Sequence, residues 1–78
     1  MDETLDLRGL KCPLPALLAK KALARLAPGS ALTVIADDPM SVVDIPHMCH
    51  GEGHAVENVT SRDGYSEFNI RKNDLAPV

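Results

Sequence analysis

The stretch from Pro13 to Ala27 constrains the fold of this chain more than any other part of its sequence. It contains no glycine and no β-branched residue, and Pro28-Gly29 follows it directly. Such a run of good helix formers, closed by a Pro-Gly pair, predicts a helix that begins near Cys12 and ends before Pro28. The whole chain has only 78 residues, so we expect residues 1–78 to form a single small domain around this helix.

Four short segments outside this helix have the pattern of strands. Thr4 to Arg8 alternates apolar and polar residues, and Ala31 to Ala36 is a short apolar run bounded by turn residues. Ala55 to Thr60 and Tyr65 to Arg71 predict two further strands, joined by a turn that contains Asp63-Gly64.

A second helix is predicted after the second strand. Asp38-Pro39 has the pattern of an N-cap followed by a first-turn proline. Because Pro46 lacks an amide donor, we expect it to divide this region into a turn near Pro39 to Val43 and a helix from about Ile45 to His50. The element order is then βαβαββ. We expect an α+β fold, a two-layer α/β sandwich in which a four-stranded mixed sheet carries both helices on one face.

Composition and charge argue against several kinds of function. The chain has one Tyr, one Phe and no Trp, and its formal net charge is -3, so we expect no direct binding of nucleic acid. It has no run of eighteen apolar residues, and Met1 is followed by Asp2 and Glu3 rather than by a basic and apolar leader. We therefore expect a cytoplasmic protein that does not enter a membrane. We also expect a monomer, because folding leaves only a small apolar face.

Cys12 is the candidate reactive residue, because it stands where a strand-ending turn meets the start of the first helix. The amides and dipole of a helix N-terminus favour an anion, and in documented cases they lower a thiol pKa from about 8.5 to roughly 3.5–7.5. Lys11 adds a positive neighbour, while Pro13 and Pro15 occupy first-turn positions that need no amide donor. We expect these three residues to support an exposed Cys12 thiolate. The alternative is that Cys12 is a small buried apolar residue.

The first helix has two distinct faces when its residues are projected at the helical period. One face should pack on the sheet and consists of Pro15, Leu18, Ala19, Ala22, Leu23 and Leu26. The opposite face combines two leucines with three cations, namely Leu14, Leu17, Lys20, Lys21 and Arg25. We expect this second face to dock a partner that carries an acidic rim around its own thiol site. The alternative is a solvated helix face without a partner.

The sequence resembles the TusA/SirA-like sulfur carriers over nearly its whole length. The matching residues are Leu5-Asp6, Gly9-Leu10, the Cys-Pro-x-Pro element Cys12-Pro13-Leu14-Pro15, Pro28-Gly29, Ala36-Asp37-Asp38-Pro39, Asp44-Ile45-Pro46, Cys49, His54 and Ile70-Arg71-Lys72. Members of that family are small cytosolic proteins of βαβαββ topology, so the resemblance implies the same element order as the residue pattern.

The resemblance also implies a function for Cys12. This thiol would accept a sulfane sulfur as a persulfide from a cysteine desulfurase or a rhodanese and relay it to an acceptor protein. The chain would then be a sulfurtransferase that needs no cofactor. The match is strongest to the members that serve tRNA thiolation, which favours tRNA 2-thiouridine synthesis over molybdenum-cofactor assembly or sulfur oxidation.

Cys49 allows two interpretations. It lies at helical spacing with Val42 and Ile45, which is typical of a cysteine packed in the core. It also matches the family's Asp-Ile-Pro-x-x-Cys block, and its functional role would be to resolve the Cys12 persulfide as a disulfide.

Two other classes of function stay open. His47 and His50 stand three residues apart beside Cys49, with His54 nearby, so a small zinc- or copper-binding module is one alternative. The chain lacks a Cys-x-x-Cys or His-Glu-x-x-His motif, and we therefore expect no metal. The other alternative is a non-catalytic interaction or regulatory domain, in which neither cysteine matters.

Overall fold

The structure is a computed structural model that describes residues 2–73; residue 1 and residues 74–78, the two ends of the expected domain, lie outside the described residues. The element order is βαβαββ, as predicted. The elements are β1 (Glu3–Asp6), α1 (Leu14–Arg25), β2 (Ala31–Ala36), α2 (Ser41–Glu52), β3 (Ala55–Arg62) and β4 (Tyr65–Arg71). Each helix has 12 residues, and within the described range neither is long and apolar enough to span a membrane.

The four strands form one mixed sheet in the order β1-β2-β4-β3. β1 runs parallel to β2, while β4 pairs antiparallel with β2 on one side and with β3 on the other. In this register Leu5 lies beside Val34, and Val34 lies beside Phe68. Because β1 and β2 are parallel, the loops that follow them leave the same edge of the sheet. These two loops lead into α1 and α2 respectively.

The core lies between the sheet and the two helices. The side chains of β2 alternate between buried and half-buried positions, and Phe68 is the largest fully buried side chain. One cluster joins Leu7, Leu32, Val34, Ala36, Phe68 and Ile70 to Ala19, Ala22 and Leu23 of α1 and to Ile45 and Cys49 of α2. Both helices therefore bury side chains in the same core, and the predicted two-layer α/β sandwich is confirmed.

The prediction that Pro46 divides the second helix is wrong. α2 is continuous from Ser41 to Glu52 with Pro46 inside it. A proline at this position removes the bond to the carbonyl of Val42, a residue that lies in the first turn of α2 and is exposed, so only one bond near the start of the helix is lost. The buried side chains of Ile45 and Cys49 hold the helix against the core on both sides of the proline.

The prediction that Asp38 caps the second helix is also wrong. Met40 occupies the N-cap position and makes no side-chain capping bond. The Asp38 backbone carbonyl accepts a hydrogen bond from the amide of Ser41 at 2.9 Å, whereas its carboxylate is used in the site described below. β1 also ends at Asp6 rather than at Arg8, because the amide and guanidinium of Arg8 both turn back to the Asp6 carboxylate.

Candidate active site around Cys12

Cys12 lies in the loop between β1 and α1, two residues before the helix begins, and it is solvent-exposed. The loop leaves β1 through Gly9, whose φ of 89° belongs to the left-handed region that favours glycine. The Cys12–Pro13 peptide bond is cis. Pro13 occupies the N-cap position of α1, and the first-turn residue Pro15 is buried. The predicted exposure of Cys12 at the start of a helix is confirmed.

Three carboxylates from the neighbouring loop and from α2 hold the loop that carries Cys12. Asp37 accepts a hydrogen bond from the amide of Gly9 at 3.0 Å, and Asp38 accepts one from the amide of Cys12 at 2.7 Å. The third carboxylate contacts the thiol itself, because Sγ of Cys12 donates a hydrogen bond to Oδ2 of Asp44 at 2.7 Å. Backbone and side chain of Cys12 are therefore each bound by a different aspartate.

These carboxylates set the electrostatics of the thiol. The hydrogen bond to Asp44 is the largest cause of a raised pKa for Cys12, followed by partial desolvation and by the negative charges of Asp44 and Asp38. An ionised carboxylate stabilises the thiol proton that it accepts and repels a thiolate. The predicted lowering of the Cys12 pKa is therefore wrong for the free thiol. Lys11 is exposed, and the charges that dominate at Sγ are negative.

Five exposed apolar side chains surround the start of both helices, and we call them the apolar rim. They are Leu14 and Leu17 at the start of α1, and Met40, Val42 and Val43 at the start of α2. The helical projection of α1 predicted the exposure of the two leucines. The sequence analysis did not identify the other three, and Val42 is exposed although its spacing grouped it with Ile45 and Cys49 on a packed face. Their neighbours in the chain, Asp38 and Asp44, bind Cys12, and this link to Cys12 is visible only in the folded chain.

The three cations that we grouped with Leu14 and Leu17 make different contacts along α1. Lys20 makes an ion pair with Glu52 of α2 at 3.6 Å. Lys21 and Arg25 line an open groove of about 480 Å³ whose other lining residues are Leu5, Leu7, Leu18 and Ala24. Arg25 ends α1, about 16 Å along the helix axis from its first residue. The cations are exposed as predicted, but they extend away from the thiol.

Cys49 occupies the core and not the surface. Its side chain has no exposed area, it is a free cysteine, and burial raises the pKa of its thiol to about 11. This matches the packed-core interpretation. Cys49 also stands five residues after Asp44 on α2, about 7.5 Å further along the helix axis. A role in resolving a Cys12 persulfide would require Cys49 to leave the core.

The histidines of this region do not assemble a metal site in the described structure. His47 and His50 are exposed whereas Cys49 is buried, and residues 2–73 contain no group of three or more His, Cys, Asp or Glu side chains placed to hold an ion. His54 is half-buried, and its Nδ1 accepts a hydrogen bond from the amide of Asn73 at 3.1 Å. Burial lowers the pKa of His54. Its ring therefore ties the start of β3 to the segment after β4.

Known proteins are similar to this chain in sequence and in fold. The chain is 48% identical over 62 residues to a protein of Neisseria meningitidis serogroup A described as a "Putative sulfur carrier protein", with 80% of this chain and 84% of the relative covered. A protein of serogroup B with the same description matches equally well. The crystal structure of the SirA-like protein from Desulfitobacterium hafniense superimposes with a TM-score of 0.82 at 34% identity, covering 91% of this chain and 97% of that one.

The family comparison spans nearly the whole described chain. Residues 3–72 match the family "Sulfurtransferase TusA", a range that includes Cys12, the three aspartates that hold its loop and the apolar rim. The chain belongs to the TusA family of sulfurtransferases and sulfur carriers.

Proposed function

We propose that the protein carries sulfane sulfur as a persulfide on Cys12 and relays it between proteins. The exposed thiol of Cys12, held at the start of α1 while Cys49 is sealed in the core, is the observation that carries this proposal. Of the two cysteine thiols, only that of Cys12 is open to a reaction partner in the described structure. A carrier needs one accessible sulfur and no deep pocket, because the substrate arrives on another protein.

The loading step is an exchange at sulfur. The Sγ atom of Cys12 attacks the outer sulfur of a donor persulfide, forming a new sulfur–sulfur bond as the bond between the two donor sulfurs breaks. The donor leaves as a thiolate and takes up the proton that Cys12 gives up. The products are a Cys12 persulfide and a donor thiol, so the step needs no external oxidant or reductant. Attack by an acceptor thiolate on the outer sulfur of the Cys12 persulfide passes the sulfur on.

We propose that the apolar rim docks the donor and the acceptor in turn. Its five side chains lie on the two elements that hold Cys12, and a partner that covers them also excludes water from the reacting sulfurs. We expect a cysteine desulfurase or a rhodanese as donor. Lys21 and Arg25, which are exposed further along α1, extend this surface toward acidic groups of a larger partner.

The destination we propose for the sulfur is tRNA 2-thiouridine synthesis, through an acceptor protein rather than by direct contact with tRNA. The net charge of -3 supports transfer to a protein, because phosphate binding depends on an excess of cations. We further propose that the chain acts as a monomeric single domain in the cytoplasm. A strain that lacks the gene should lose 2-thiouridine from its tRNA, and a copy encoding Cys12→Ser should not restore it. Normal thiolation in that strain would exclude this destination.

The loading step is tested by intact mass. Wild type, Cys12→Ser and Cys49→Ala are incubated with a cysteine desulfurase and free cysteine, then measured with and without a reductant. We expect wild type and Cys49→Ala to gain one sulfur that the reductant removes, and Cys12→Ser to gain none. Sulfur on Cys12→Ser, or no gain by wild type from a donor shown to be active, would contradict the proposal.

A further inference from the structure

The contact between Cys12 and Asp44 has a consequence for how the carrier behaves when it is empty. Oδ2 of Asp44 lies 2.7 Å from Sγ, and Asp38 holds the Cys12 amide at the same distance. Cys12 is thus bound at two points, its backbone by Asp38 and its thiol by Asp44, and the thiol hydrogen is directed at a carboxylate on the first turn of α2.

We propose that Asp44 is a positioning residue that latches the empty carrier, holding the Cys12 thiol turned toward α2 through their hydrogen bond, and that loading with sulfur opens this latch. The proposal rests on the proposed role of Cys12 as the sulfur-carrying residue. It adds that the chain itself distinguishes its empty form from its loaded form.

Loading removes the atom on which the latch depends. In the empty carrier Sγ bears a hydrogen that Asp44 accepts. In the persulfide Sγ is bonded to carbon and to the outer sulfur, so it has no hydrogen to donate. The outer sulfur ionises more readily than a thiol, and an anionic sulfur beside Asp44 and Asp38 is repelled by both carboxylates. The loaded side chain therefore turns away from α2 toward the partner.

All but one of the charged groups around the thiol are carboxylates, which repel an anionic sulfur. Asp44 contacts Sγ, Asp38 contacts the Cys12 amide, and Asp37 contacts the amide of Gly9 in the same loop. Lys11 is the cation next to Cys12 in the chain, and its side chain is exposed to solvent. The electrostatic potential at Sγ is therefore set mainly by carboxylates from the β2–α2 side of the site.

The latch is tested on the isolated empty protein by the rate at which iodoacetamide alkylates Cys12, read from the Cys12 peptide across a range of pH. We expect Asp44→Asn to react about two- to fourfold faster than wild type at neutral pH, with its profile moved to lower pH. The gain is moderate because a less basic thiolate is also a weaker nucleophile. Asp63→Asn, which removes an exposed carboxylate from the β3–β4 turn, should match wild type.

Two results would overturn the latch. One is an Asp44→Asn profile that superimposes on that of wild type. The other needs no variant: a wild-type profile whose midpoint lies below that of an ordinary thiol. Neither result depends on sulfur loading. Failure of the latch is therefore distinct from failure of Cys12 to accept sulfur, which the mass experiment measures.

A second measurement compares the empty and loaded forms. Cys12 is loaded with glutathione persulfide, a small donor that needs no docking surface, and the alkylation of loaded and empty protein is followed side by side. We expect Asp44→Asn to speed alkylation of the empty form only, so that the ratio of loaded to empty rates falls about two- to fourfold. An equal effect on both forms would show that Asp44 does not sense loading.

Discussion

Raising the pH should destabilise this protein through Cys49. Burial raises the pKa of this thiol from an ordinary value of 9.0 to about 11, so the folded chain holds the proton more tightly than the unfolded chain. A group of this kind contributes its full stabilisation below the ordinary pKa and loses it as the pH rises toward the folded value. The difference in pKa corresponds to about 3 kcal/mol at the limit and to about 2 kcal/mol lost between about pH 8 and pH 10.5.

The measurement is urea-induced unfolding of Cys12→Ser and of Cys12→Ser/Cys49→Ala at both pH values. All other titratable groups are present in both proteins and cancel in the difference. At about pH 8 the alanine variant should be less stable by about 1–2 kcal/mol, because it loses a buried sulfur. By about pH 10.5 this gap should close or reverse, since the variant has no thiol to ionise at position 49.

A gap between the two proteins that stays constant from about pH 8 to pH 10.5 would refute this reasoning. It would mean that Cys49 ionises in the folded chain as easily as in the unfolded one. The core position of Cys49 would then be open to water and to thiolate chemistry. In that case a resolving role for Cys49 would regain support.

Two further predictions concern the loop and the surface at Cys12. Asp38→Ala should lower the free energy of unfolding by about 1–2 kcal/mol, because the Cys12 amide loses a charged acceptor. Asp38→Asn keeps an oxygen at that place and should lose less, and equal losses in urea unfolding would contradict the role of this bond. Leu17→Asp should slow sulfur loading from a donor protein about tenfold or more without changing stability or loading from glutathione persulfide. Val59→Asp, a matched change at an exposed valine of β3, should load normally, and slowing by both variants would show a nonspecific effect of added charge.

Much of the fold could be predicted because the ends of its helices and strands depend on turn residues that are close in sequence. Pro28-Gly29 closes α1 and opens β2, and the bounds of β2 at Ala31–Ala36 follow from the turn residues on both sides. The prediction that Pro46 divides α2 was wrong because the continuity of that helix does not depend on local residues alone. A proline is a local signal, but the continuity of α2 depends on the burial of Ile45 and Cys49 against the sheet. Tertiary packing there outweighs a missing hydrogen bond.

The candidate site was predicted only in part for the same reason. The exposure of Cys12 follows from its neighbours in the chain, but its electrostatics do not. Asp38 and Asp44 are 26 and 32 residues away in sequence, and the parallel pairing of β1 with β2 brings their loops to one edge of the sheet. Asp38 followed by proline also has a valid local interpretation as a helix cap. A sequence pattern cannot choose between a cap for α2 and an acceptor for the Cys12 amide.

The two cysteines of this chain show how the same direction of pKa shift can serve different ends. Burial keeps Cys49 protonated at any pH well below about 11, and a partner can reach its sulfur only if the core opens. A hydrogen bond at an exposed position is the largest influence that keeps Cys12 protonated, so loading or a docked partner can remove it without unfolding the chain. We infer that a permanently unreactive Cys49 thiol and a reversibly protected Cys12 thiol together suit a protein that carries sulfur. Sulfur then enters and leaves at Cys12 alone, and the Cys12 thiol of the empty protein does not react with other molecules.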